Sequence, residues 1–120
     1  MSVALGKPIP YFEVPATSNL LFTPDACRGR NLVMYFYPKD MTPGCTTESM
    51  DFRDHIDAFT KANTLVVGIS RDSLSSHENF KSKIELPFEL LSDGDEKLCS
   101  LFGVIKMKNM YGKQVRGIER

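Results

Sequence analysis

A chain of 120 residues is long enough to bury one core and too short for two, so a single domain over residues 1–120 is expected. Fifteen basic and fifteen acidic side chains cancel, which leaves no cationic footprint for a nucleic-acid backbone or an anionic membrane surface. Apolar and charged shares of 42% and 25% are ordinary for a globular protein and exclude extended disorder. The first ten residues hold one lysine, two prolines and no long apolar run, so they read as neither a signal peptide nor a membrane span, and a cytoplasmic location is the expectation.

In chain order, residues 10–14 and 20–23 flank the polar Thr17-Ser18-Asn19 and predict a hairpin. Residues 31–37 (NLVMYFY) form a continuous apolar run ended by Pro38, the pattern of a strand buried on both faces and expected at the centre of the sheet. From residue 46 to about 62, Met50, Ile56 and Phe59 recur in helical register with Phe52 on the flank, an amphipathic helix. Residues 64–69 are again an apolar strand, and Ser70-Arg71-Asp72-Ser73 supplies caps for a helix running to about Lys83. A short strand at 87–91 precedes Asp93-Gly94-Asp95, which opens a helix whose Leu98, Leu101 and Phe102 face the core and which Gly103 ends. Residues 106–120 read as a basic, glycine-punctuated connection leading into a strand at Val115. The order β-α-β-α-β-α argues for an α/β fold with helices layered on a sheet.

The chemistry concentrates at Cys45. Three cysteines, Cys27, Cys45 and Cys99, fit neither a secreted disulfide scaffold nor a zinc site built from C-x-x-C knuckles. Cys45 is flanked by polar residues and follows Thr42-Pro43-Gly44 at the start of a helix. A helix N-terminus presents unsatisfied N–H groups and about half a positive charge, so it stabilises an anion such as a thiolate. Cysteine pKa values there can fall to roughly 3.5–7.5, which makes the nucleophile abundant at neutral pH. Pro43 suits the first turn, Gly44 lets a small substrate approach, the Thr42 hydroxyl is placed to meet the sulfur or a bound oxygen, and Pro38 ends the strand and shields one side. Taken alone, Thr-Pro is also an ordinary way to open a helix.

The pattern Pro38-x-x-x-Thr42-x-x-Cys45, within YFYPKDMTPGCTTE over residues 35–48, resembles the active-site motif of the peroxiredoxins, in particular the Q-type branch also called bacterioferritin comigratory protein. The likeness continues through GISRDS (68–73), LSDGD (91–95), KNMYGKQ (108–114) and GIER (117–120), in the family's order and over nearly the whole chain. It implies a thioredoxin-like fold, a mixed central sheet flanked by helices, and a thiol peroxidase acting on hydrogen peroxide or organic hydroperoxides. Cys45 would be the peroxidatic cysteine, Thr42 the hydroxyl that holds the peroxide, Arg120 the arginine that stabilises thiolate and departing oxygen, and Pro38 the shield against water. No metal or organic cofactor is implied; thioredoxin, glutaredoxin or a low-molecular-weight thiol would be the reductant, and the assembly a monomer or weak dimer.

Two departures from the family pattern stand out. The positions where Q-type members carry a resolving cysteine hold Met50 and, on the following helix, the segment around Lys81. Cys99, between Leu98 and Leu101-Phe102, reads as a small core hydrophobe, and Cys27 follows a turn that nothing places near Cys45, so a one-cysteine mechanism is expected. The family fold also needs a strand pair and a helix after the arginine, so the native polypeptide is expected to continue past Arg120. Other classes fit less well. A disulfide carrier needs a C-x-x-C pair, and His55, ten residues after Cys45 on one helix and so about 15 Å away, cannot be the base of a cysteine hydrolase. His77 is expected at the surface of its helix, and Tyr35, Phe36, Tyr37 and Phe52 in the core. A thioredoxin-like interaction module without peroxidase activity is the alternative.

Overall fold

The computed structural model of the chain describes residues 6–110 and 113–118. Strands β1 (Val14–Ala16) and β2 (Leu20–Phe22) form the predicted hairpin, turning through Ser18 and Asn19 at φ of 61° and 60°. After a short 3-10 helix, Pro24–Cys27, come β3 (Asn31–Phe36), α1 (Pro43–Asp54), α2 (Ile56–Lys61), β4 (Thr64–Ser70), α3 (Leu74–Lys83), β5 (Leu90–Ser92) and α4 (Lys97–Leu101). Strands β6 (Ile105–Met110) and β7 (Lys113–Ile118) complete the order. Five strands make a mixed sheet in the order β2-β1-β5-β4-β3, with β3, β4 and β5 parallel and β1 antiparallel to β5, while β6 and β7 pair separately and antiparallel. No described helix is long and apolar enough to cross a membrane.

The period-2 alternation of the parallel strands sorts their side chains onto two faces. Leu32, Met34 and Phe36, Leu65, Val67 and Ile69, and Leu91 meet Phe12, Phe22, Leu98, Cys99 and Ile118 on one side. Val33, Tyr35, Val66 and Leu90 meet Phe52, Ile56 and Phe59 of the first two helices and Phe80 and Ile84 at the third on the other. Cys45 belongs to this second cluster, so the sheet itself separates it from Cys99.

Several expectations change. β3 is an edge strand of the five-stranded sheet, not its centre, and Leu32, Val33 and Met34 are only half-buried; an apolar run reports covered faces, not how many neighbours flank a strand. The helix expected from 46 to 62, with Pro43 in its first turn, breaks at His55, whose Nδ1 lies 2.8 Å from the carbonyl oxygen of Asp51. That carbonyl would accept the His55 N–H in a continuous helix, and the imidazole takes it instead. Residues 105–110 are a strand where a connection was expected; their basic composition masks a short Ile105-x-Met107 alternation. The helix after residue 93 also starts late, because the Asp93 carboxylate accepts both the Leu98 and Cys99 N–H groups at 3.0 and 2.7 Å. Gly103, at φ 68°, follows its last turn as the sequence predicts.

Gly68 marks the tightest packing. It pairs with Tyr35 across β3 and β4, and a Cβ there would lie 2.7 Å from the Tyr35 ring and hydroxyl and 2.8 Å from Leu90 Cδ2. Tyr35 cannot swing away: its hydroxyl bonds Ser49 Oγ at 2.9 Å and its ring stacks on Phe52 at 4.6 Å. Gly68→Ala is therefore expected to cost roughly 1–3 kcal/mol, the usual range for forced overpacking. Thermal unfolding checks this, and a melting temperature equal to wild type would contradict it.

Candidate active site

The site sits where the parallel strands end at their carboxyl edge, the usual place for function in an α/β sheet. Tyr37, just past β3, donates its backbone N–H to Ile69 O at 3.0 Å, and the chain then turns through Pro38, Lys39, Asp40 and Met41 into α1. Met41 adopts φ 67°, a left-handed conformation that costs a side-chain-bearing residue about 1–2 kcal/mol and persists only when neighbouring contacts impose it.

Thr42 is the extended N-cap of α1, Pro43 its first residue and Cys45 its third; the first helical bond runs from Thr46 N–H to Thr42 O at 2.8 Å. The Thr42 side chain makes no capping bond. Its hydroxyl donates to Lys39 O at 2.9 Å, leaving the N–H groups of Gly44 and Cys45 uncapped by it and its own lone pairs to accept a proton donor. This differs from a hydroxyl aimed as a donor at the sulfur. Cys45 is fully buried, and Ser49, one turn further along α1, ties the helix to Tyr35 beneath it. Pro38 is half-buried at the strand exit, so Pro38, Thr42 and Cys45 lie within one strand-loop-helix segment. Arg120 falls outside the described residues.

The other sulfur atoms lie elsewhere. Cys99 is buried across the sheet, where burial and then the Asp93 carboxylate push its thiol well up, so it stays protonated. Cys27, half-buried, donates its S–H to Pro24 O at 3.1 Å, before the amino end of β3. Lys81, in one of the resolving positions, bonds Glu89 and Ser18 Oγ, and Met50 in the other is half-buried.

His77 overturns its expected surface position: it has no exposed surface. Its spacing from Phe80 and Ile84 places it on the buried stripe of the third helix segment, a periodic signal that its Ser-Ser-His-Glu context obscures. Nδ1 lies 2.7 Å from Asp40 Oδ2 and Nε2 lies 2.9 Å from Leu91 O. Asp40 also accepts from the Tyr37 hydroxyl at 2.6 Å and the Ser76 hydroxyl at 2.8 Å, and its backbone N–H donates to Asp72 Oδ2 at 2.8 Å. Burial alone would raise the Asp40 carboxyl, but the bonds from His77, Tyr37 and Ser76 outweigh it and hold the group below the ordinary carboxylate range. Asp40, Asp72 and His77 bring one donor atom each within 4.8 Å of one another, a metal-like grouping. Each is already engaged, however, with Asp72 Oδ2 accepting from Ser70 Oγ as well, so the cluster is a hydrogen-bonded network and not an ion cradle.

Residues 5–118 match the AhpC/TSA family. The chain is 53% identical over 118 residues to Peroxiredoxin Bcp of Xanthomonas campestris, covering 97% of this chain and 74% of that protein. The chain belongs to the AhpC/TSA family, in the Bcp branch of the peroxiredoxins. Peroxiredoxin Bcp of Bacillus subtilis is 42% identical over 120 residues, covering all of this chain and 76% of that one. A solved structure of the Xanthomonas campestris bacterioferritin comigratory protein superposes with a TM-score of 0.85 at 52% identity, over 91% of this chain and 69% of that chain. This peroxiredoxin therefore has the thioredoxin-like fold, a mixed sheet with flanking helices, and is a thiol peroxidase.

Proposed function

We propose that this peroxiredoxin reduces hydrogen peroxide and organic hydroperoxides at Cys45 by a one-cysteine mechanism. The observation that carries the reading is the start of α1: a cysteine in the first turn, under an N-cap whose hydroxyl is turned away from the helix. The Cys45 thiolate attacks the terminal oxygen of the hydroperoxide, the S–O bond forms as the O–O bond breaks, and the sulfur is oxidised by two electrons to sulfenic acid. The departing alkoxide or hydroxide takes a proton from water and leaves as alcohol or water. The Thr42 hydroxyl, its proton committed to Lys39 O, accepts from the hydroperoxide O–H; Arg120 stabilises the departing oxygen, and Pro38 limits water. The solved Xanthomonas campestris relative is described for alkyl peroxide reduction, which supports the same substrate class here.

Resolution falls to an external thiol, either thioredoxin, glutaredoxin or a small cytoplasmic thiol. One molecule condenses with the sulfenic acid, releasing water and forming a mixed disulfide, and a second thiol reduces that disulfide. The internal candidates support this. Cys99 is across the sheet, and Cys27 and Cys45 flank opposite ends of β3, whose six residues extend roughly 20 Å, whereas a disulfide needs Cα atoms within about 7 Å.

One equivalent of peroxide is expected to leave a sulfenic acid on Cys45 that a sulfenate-specific reagent traps, and excess peroxide to carry it to sulfinic acid. Mass spectrometry locates the modification. Oxidation first on Cys99, or rapid quantitative disulfide formation from Cys45 to Cys27 or Cys99, overturns the mechanism.

A further inference from the structure

The Asp40–His77 pair lies outside the motif that carries the chemistry, yet it grips the loop that carries the motif. Asp40 is 4% exposed and His77 is 0% exposed, and they come from segments 37 residues apart in sequence. The hydrogens can be assigned by elimination. Leu91 O only accepts, so Nε2 carries a proton, and Nδ1 shares one with the Asp40 carboxyl, which also takes the Tyr37 and Ser76 hydroxyl protons. His77 is thus tied at both ring nitrogens, one to a carboxylate and one to a carbonyl. Between this anchor and Thr42 lies only Met41, held in its left-handed conformation. A backbone strained at that point keeps its shape because the residue before it is fixed from both sides, through its side chain to the third helix segment and through its N–H to Asp72.

Resting on the thiol peroxidase reading above, we propose that Asp40 and His77 form a buried hydrogen-bonded pair that holds loop 38–42 in the geometry the peroxide reaction at Cys45 requires. Both are positioning residues: neither touches peroxide, and each acts through Thr42. Displacing a substrate-binding hydroxyl by about 1 Å can cost on the order of 10²-fold in rate.

The test measures two rate constants on the same folded protein, peroxide reduction and alkylation of Cys45 by iodoacetamide, for wild type, Asp40→Asn, His77→Gln and the double variant. Each single variant is expected to slow peroxide reduction by about tenfold to a hundredfold, while alkylation holds or rises because a loosened loop uncovers the buried thiol. The double variant removes both partners together, so its loss is expected to fall short of the product of the two single losses. Should Asp40→Asn fail to fold, Tyr37→Phe removes a single donor to the same carboxylate and is read the same way. Peroxide rate constants within twofold of wild type overturn the proposal, and so does a parallel loss of both rates, which marks general damage. A wild type that leaves peroxide intact fails the functional reading and this inference with it; an active wild type matched by its variants fails the inference alone.

Discussion

Cys45→Ser is expected to abolish peroxide reduction, while Cys27→Ser and Cys99→Ser retain most of it. The difference follows from setting, since a thiol is common to all three positions. Cys45 stands in the first turn of α1, where backbone N–H groups and the helix dipole favour an anion. Cys99 is buried beside a carboxylate that opposes ionisation, and Cys27 is turned toward a carbonyl. A serine hydroxyl at 45 keeps the volume and the helix start but supplies no sulfur to oxidise, so folding should be unaffected while turnover falls to background. Peroxide consumption with a thiol reductant in excess reads this directly. Residual activity of more than a few per cent in Cys45→Ser, or a complete loss in Cys99→Ser with the fold intact, would assign the reaction elsewhere.

Arg120→Ala in the native polypeptide is expected to slow the reaction with peroxide by about 10²–10³-fold, the usual penalty for removing one donor from developing negative charge. As the O–O bond breaks, charge accumulates on the departing oxygen, and a guanidinium offers several fixed N–H donors that cannot be deprotonated. The position is argued from the match of residues 117–120 to the family and from β7, which brings Ile118 into the apolar core two residues earlier in the chain. Stopped-flow rates for Arg120→Ala, with Arg120→Lys as the partial replacement that keeps charge but loses the planar fork, check the assignment. A loss smaller than threefold in Arg120→Ala removes Arg120 from the mechanism.

Much of this was legible in the residues because it depends on local chemistry. The turn at Ser18 and Asn19, the Ser73 cap whose Oγ accepts the Ser76 N–H at 3.2 Å, and the helix opening at Pro43 are governed by neighbours a few positions away. The apolar runs at β3 and β4 and the place of Cys45 at a helix start were readable for the same reason, and so was the break after α4 at Gly103. The β3 position at a sheet edge was not, because lateral neighbours are set by pairing between segments far apart in the chain. Nor was the break at His55, where one imidazole competes with its own backbone for a single carbonyl.

The sequence by itself determined that this chain carries one cysteine poised at a helix start behind a Pro-x-x-x-Thr-x-x-Cys pattern, since both the dipole and the capping groups come from contiguous residues. Only the tertiary structure decided what holds that helix start in place. A histidine and an aspartate 37 residues apart meet only when the third helix segment packs beside the end of β3, and burial then turns two ordinary polar side chains into a single anchored pair.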